Sequence, residues 1–180
     1  MLLSIQQRYI LELLKKTGYM RYNQLYILTR EYFKRSEMEL EISAKRMEIM
    51  LHQMKNINVR MDEDVVRLSL LEPNILRLEA IDIMLELTGG HVLDFKTRLD
   101  YPEILKFISD DEHTKDITVA VLPDDGTTAA EVVADYKAKR MVWFSVDGQL
   151  PCQLQLPKKH FFAERQKNSS HKFYGCKDTE

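Results

Sequence analysis

The chain has 180 residues, 44% of them hydrophobic, and a formal net charge of −2. That length suits one large domain or two small ones, and the apolar share is enough for packed cores. No apolar run approaches the roughly 18 residues of a membrane span, and no charged n-region is followed by an apolar h-region as in a signal peptide. A cytoplasmic protein without membrane association is therefore the simplest expectation. The two cysteines, Cys152 and Cys176, are too few and too irregularly spaced for a disulfide framework.

The net charge conceals a segregation. Residues 1–70 carry 12 Lys/Arg against 9 Asp/Glu, a balance of +3, residues 71–150 carry 8 against 16, and residues 151–180 carry 6 against 3. An acidic middle between mildly basic ends argues against one broad nucleic-acid surface, because the central segment would repel a phosphate backbone. Any DNA contact is expected at the ends.

In chain order, Ser4 with Gln7 forms a capping-box pattern. Ile5, Tyr9, Ile10, Leu13 and Leu14 then recur at helical spacing until Gly18 offers a stop, which predicts a helix of about 13 residues. A second helix is predicted from about Asn23 to Phe33, with Leu25, Leu28 and Tyr32 on one stripe and Arg30, Lys34 and Arg35 at its C-terminal end. Ser36 and Glu39 read as the capping box of a third helical run. There Met47, Met50, Leu51 and Met54 make an apolar face, opposite Lys45, Glu48, His52 and Lys55. Val59 to Met61 and Val65 to Leu70 then read as a hairpin closed by the acidic turn Asp62, Glu63 and Asp64.

Three helices followed by a hairpin follow the winged-helix order. The stretches QQRYILELLKKTGYMRYNQLYIL and KRMEIMLHQMKNINV resemble the N-terminal winged helix-turn-helix of replication-relaxation-type proteins from bacterial plasmids and conjugative elements. The resemblance covers about the first 70 residues and consists of apolar spacings rather than an invariant motif. It implies a DNA-binding accessory or regulatory role in a mobile element, and a nuclease-like fold for the remainder.

Leu71, Glu72 and Pro73 mark a boundary, and Pro73 suits the first position of a linking helix (73–89) that carries Ile75, Leu78, Ile81 and Leu85 and ends at Gly89-Gly90. Alternation follows: a strand from His91 to Leu99, a helix opening at Pro102, the strand ITVAVL (117–122), a helix capped by Thr128 and Glu131, and the strand MVWFSV (141–146). Asp147-Gly148 reads as a hairpin turn, with QLPCQLQL returning as an edge strand because it contains Pro151. From Lys158 the chain is polar and basic, with Phe161, Phe162, Phe173 and Tyr174 interspersed. The expected fold class is therefore mixed α+β and α/β: a winged helix-turn-helix domain over residues 1–71, a small α/β domain over 72–157 with alternating strands and helices, and a basic, aromatic-containing tail over 158–180.

Four functional readings arise. In a helix-turn-helix, the third helix would meet phosphates and base edges through Lys45, Arg46, His52 and Lys55, with Arg60 at the base of the hairpin. The alternative is an ordinary solvated helix face, or a winged helix that docks a protein partner. A balance of +3 neutralises few phosphates, so useful affinity for duplex DNA would require a homo-oligomer or a second contact. The acidic turn counts against a hairpin tip that grips DNA.

The second reading is a metal-dependent nuclease. Asp94-Phe95-Lys96 has the local acid-x-Lys form, and Asp124 and Asp125 end an apolar strand. Asp124-Asp125-Gly126 is also good turn chemistry, and no acid-x-Lys occurs on the strand that follows. A non-catalytic assembly domain is the favoured reading of this half, with no cofactor. Third, Cys152, His160, His171 and Cys176, separated by 7, 10 and 4 residues, resemble no closely paired zinc knuckle. Fourth, Trp143 in its apolar strand reads as core. Phosphate-loop, dinucleotide and hydrolase-elbow glycine motifs are absent.

Overall fold

A computed structural model describes residues 2–36, 40–68, 71–97, 99–111, 114–122, 126–149 and 155–175, the side chains of 126–129 excepted. Among these residues it is a mixed α+β structure with five α-helices and two sheets. No helix among them is long and apolar enough to cross a membrane.

Helix α1 spans Ile5–Thr17. Ser4 caps it as expected: the Ser4 Oγ accepts from the Gln7 amide, the Gln7 side chain accepts from the Ser4 amide, and Gly18 ends it at φ 86°. Tyr19–Arg21 then forms a short strand, β1, which the sequence did not announce because three residues carry no readable period. Helix α2 spans Tyr22–Arg35. Ser36 caps its C-terminus and donates to the Phe33 carbonyl at 2.9 Å, so the expected Ser36–Glu39 capping box does not open the next helix. That role falls to Ser43, whose Oγ accepts from the Arg46 amide ahead of α3, Ala44–Met54. A 3-10 turn at Lys55–Ile57 leads into β2 (Arg60–Asp62) and β3 (Val65–Arg67). These strands are antiparallel, and β3 also pairs with β1, so the small sheet has the order β1-β3-β2.

Helix α4 spans Ile75–Thr88, with Asn74 as its N-cap and Gly89 as its C-cap. Pro73 therefore stands ahead of the helix rather than at its first position. Leu78, Ala80, Ile81, Ile83, Met84 and Leu85 are all buried, so most of α4 is enclosed, while Ile75, Glu86 and Leu87 stay exposed. The reason is its position between α2 and the large sheet, where it packs on β5 and β6.

The large sheet runs in sequence order from β4 (Val92–Lys96) through β5 (Glu103–Ser109), β6 (Asp116–Val121), β7 (Met141–Phe144) and β8 (His160–Arg165) to β9 (His171–Gly175). The pair β6–β7 and the pair β7–β8 are parallel, and the other pairs are antiparallel. Helix α5, Gly126–Asp135, makes the crossover between β6 and β7.

Four expectations are corrected. The segment after Pro102 is strand β5, because it is hydrogen-bonded on both sides by β4 and β6. Helix α5 starts at Gly126, which puts Thr128 inside its first turn. The turn at Asp147-Gly148 does not lead to an antiparallel partner of β7: the strand beside β7 is β8, and it runs parallel. Residues 150–154 of the expected edge strand lie outside the described residues. Finally, the stretch read as a tail supplies β8 and β9, so most of it is sheet. The aromatics of that stretch are strand residues, with Phe162 fully buried.

Strand alternation sorts the sheet into two faces. Phe95, Leu105, Phe107, Val119, Val121, Val142, Phe144 and Ala163 share a core with α4, α1, α2 and α3. Ala120, Leu122, Met141, Trp143 and Phe162 face the other way and form a smaller core with Val133 and Tyr136, on and just after α5. One apolar cluster thus crosses the boundary drawn at residue 71.

Candidate nucleic-acid interface

Helix α3 is held at both ends. The hydroxyl of Tyr22 donates to the Ala44 carbonyl at 3.1 Å and that of Tyr26 to the Ile42 carbonyl at 3.2 Å, which fixes the start of α3 against α2. Near its other end, the Gln7 side chain of α1 donates to Gln53 Oε1 at 2.9 Å. Met47, Met50, Leu51 and Met54 are buried as their spacing predicts. The opposite face is thereby turned outward on a rigid support.

Lys45, Arg46, His52, Lys55 and Arg60 are all exposed. None of them makes an ion pair among the described residues, whereas Lys16, Arg21, Arg30, Arg35 and Arg67 elsewhere in the N-terminal part each pair with a carboxylate. Unpaired exposed cations on one helix face are available for a phosphate; paired ones must first give up a partner. Arg60 stands directly opposite Arg67 across β2–β3, and the Asp62 carboxylate takes Arg67, leaving Arg60 free.

The acidic turn is partly neutralised by the same means. Asp62 pairs with Arg67, and Asp64 lies 3.8 Å from the Arg21 guanidinium, which also binds Asp82 on α4. Glu63 turns the chain at φ 53°. Burial pushes the Asp82 carboxyl up, while the Gln24 amide at 2.7 Å and Arg21 pull it down. The turn residues therefore close the hairpin and tie it to α4.

One feature of this surface escaped the sequence reading. Ile49 and Met61 are each 50% exposed and flank an open groove of about 510 Å³ between α3 and β2, floored by Leu51, Val59 and Val66. Ile49 is the apolar residue of α3 that falls out of phase with the buried face, and that mismatch was the available signal.

Of the residues weighed for a nuclease site, Asp94 and Lys96 are described. Asp94 and Lys96 are both exposed on β4, with Phe95 pointing into the core between them. The Asp94 carboxylate accepts from Lys16 Nζ, and that hydrogen bond holds its pKa below the ordinary carboxylate value. Asp124 and Asp125 lie outside the described residues.

Of the four residues weighed for zinc, the two histidines are described. His160 is fully buried; its Nδ1 accepts from the Trp143 indole at 3.0 Å and its Nε2 faces the Tyr136 carbonyl at 3.0 Å. His171 directs Nδ1 to Glu86 and Nε2 to Glu79, at 3.1 and 3.2 Å. Both rings have both nitrogens engaged, so neither offers a lone pair to a metal. Cys152 and Cys176 lie outside the described residues, and among those described no three His, Cys, Asp or Glu side chains gather as a metal site.

Searches of family models, curated proteins and solved structures find no match to the chain.

Proposed function

We propose that residues 1–71 form a winged helix-turn-helix that binds duplex DNA, with α3 as the recognition helix and β2–β3 as the wing. The protein would act as a DNA-binding accessory or regulatory factor, in keeping with the replication-relaxation resemblance. The large sheet serves as a non-catalytic scaffold for assembly. The observation that carries the reading is the outward face of α3, where Lys45, Arg46, His52 and Lys55 are exposed and unpaired beside Arg60. The order of α1, β1, α2, α3, β2 and β3, with a β1-β3-β2 sheet, supports it. In this arrangement contact runs through α3 and Arg60, while the wing tip stays tied to Arg21 and Arg67 and away from phosphates.

A second reading is favoured by the apolar groove at Ile49 and Met61, which suits the side chains of a protein partner better than a phosphate backbone. One experiment separates the two. Labelled duplex DNA is titrated with the intact protein at two salt concentrations. Salt-sensitive binding that weakens at least about tenfold in Lys45→Ala/Arg46→Ala is expected, because a good base contact is worth about 1–3 kcal/mol. Unchanged affinity in that variant would remove α3 from the interface, and absence of binding at low salt would remove DNA altogether.

A further inference from the structure

The acidic balance of residues 71–150 suggested that no nucleic acid would approach the middle of the chain. The side chains are distributed otherwise. Glu79, Asp82 and Glu86 lie along α4 and are engaged by Arg165, Arg21 and His171 between the layers. Part of the acidic balance is thus offset by cations of other elements.

On the opposite face of the large sheet, α5 packs near β6 to β8, while β4 and the neighbouring part of β5 carry charged residues. An open cleft of about 590 Å³ lies there, lined by Lys106, Lys115, Lys139, Arg140 and Lys159, with Asp116 the sole carboxylate in its lining. Lys106 pairs with Asp116 at 2.8 Å, Lys115 with Asp111 at 3.4 Å and Lys139 with Glu103 at 2.6 Å. Arg140 and Lys159 make no ion pair among the described residues. Lys96 stands directly opposite Lys106 across β4–β5, just outside the cleft lining, and Asp116 offsets the repulsion of that pair. The lining residues come from β5, β6 and the segments just before β6, β7 and β8, and only the sheet register collects them.

We propose that this cleft holds the phosphodiester backbone of a nucleic acid, as a second contact that is independent of base sequence. Arg140 and Lys159 are the principal donors, with Lys106 in the same lining. The proposal rests on the DNA-binding reading of α3 for its biological setting, and it answers a shortfall in that reading, since a +3 N-terminal part neutralises few phosphates by itself. Lysine and arginine side chains gathered around one cleft read phosphate charge and spacing, not bases.

The test titrates the intact protein into a short labelled duplex of mixed sequence between about 50 and 200 mM salt. Arg140→Gln/Lys159→Gln is compared with the charge-matched Lys15→Gln/Lys167→Gln, whose exposed cations lie outside the cleft. Each neutralised phosphate contributes about 0.9 to the slope of log K against log salt, so the cleft variant should flatten the slope by about 1.8 while the control does not. Equal behaviour of the two variants overturns the inference. Lys45→Ala/Arg46→Ala run in parallel keeps the two readings apart. If only that variant weakens binding, the cleft fails and α3 stands; if only the cleft variant does, α3 fails and the cleft stands. Single-stranded DNA and RNA probes then identify which backbone is held. Displacement of a bound probe by polyglutamate as effectively as by unlabelled duplex would overturn the assignment in favour of an acidic protein.

Discussion

The Nδ1 of His160 accepts the Trp143 indole proton, so Nε2 must carry the ring proton and donate to the Tyr136 carbonyl. A second proton would have to displace the indole donor inside a fully buried site. Burial accordingly holds the His160 pKa below the ordinary histidine value, against the opposing pull of nearby backbone carbonyls. The sign follows from proton counts. Below about pH 6.5 the unfolded chain protonates this residue while the folded protein does not, so unfolding takes up a proton and stability falls as pH drops. Above that value the penalty is absent. Thermal midpoints measured from about pH 7.5 to 5.5 should decline, and His160→Gln should show a shallower decline even if it melts lower throughout. An identical pH slope in the variant would mean that another group governs the acid limb. This residue was not legible: the sequence reading put it in a basic tail, and its indole partner 17 positions away gave no signal.

At the scale of elements, the hairpin β8–β9 is fastened to α4 by one cluster. Glu79 is 3% exposed; Arg165 Nε donates to it at 2.8 Å with a second guanidinium contact alongside, and His171 approaches from the next strand. A carboxylate buried to this degree is tolerable only with its partners in place. Arg165→Ala should therefore destabilise the protein by about 3–5 kcal/mol, and Glu79→Gln with Arg165→Met should recover much of the loss. Equilibrium unfolding in urea measures both. A loss below about 1 kcal/mol in the single variant would show that water reaches Glu79.

The same scale explains what the sequence could tell. Helix α1 was readable to the residue because Ser4, Gln7 and Gly18 are local signals for local hydrogen bonds. Strand β5 was mistaken for a helix because Pro102 is a good helix opener. Its inward Leu105, Phe107 and Ser109 alternate at strand spacing, but two flanking strands decide the matter, and they are distant in the chain. The exposed face of α3 followed directly from helical periodicity. The cationic cleft did not, since charge counted over a window averages residues that the sheet sends to opposite faces.

For the whole molecule, the continuous apolar cluster from Ile10 to Ala163 predicts joint unfolding of the two parts. Trp143 is the single tryptophan and lies in the large sheet, whereas three of the five helices precede residue 55. Fluorescence of Trp143 and the helical circular-dichroism signal should therefore trace the same transition in denaturant. Two separated midpoints would contradict a shared core.

The sealed position of α4 also limits how such a protein can be recombined. A gene fusion that transplanted the first 71 residues as a cassette would leave behind the helix that α2 packs on, and the recipient would have to supply an apolar rod of matching shape. The reciprocal fragment would present Leu78, Ile81 and Leu85 to water. Shuffling at this junction is disfavoured, and the outward face of α3 and the sheet are constrained to be inherited together.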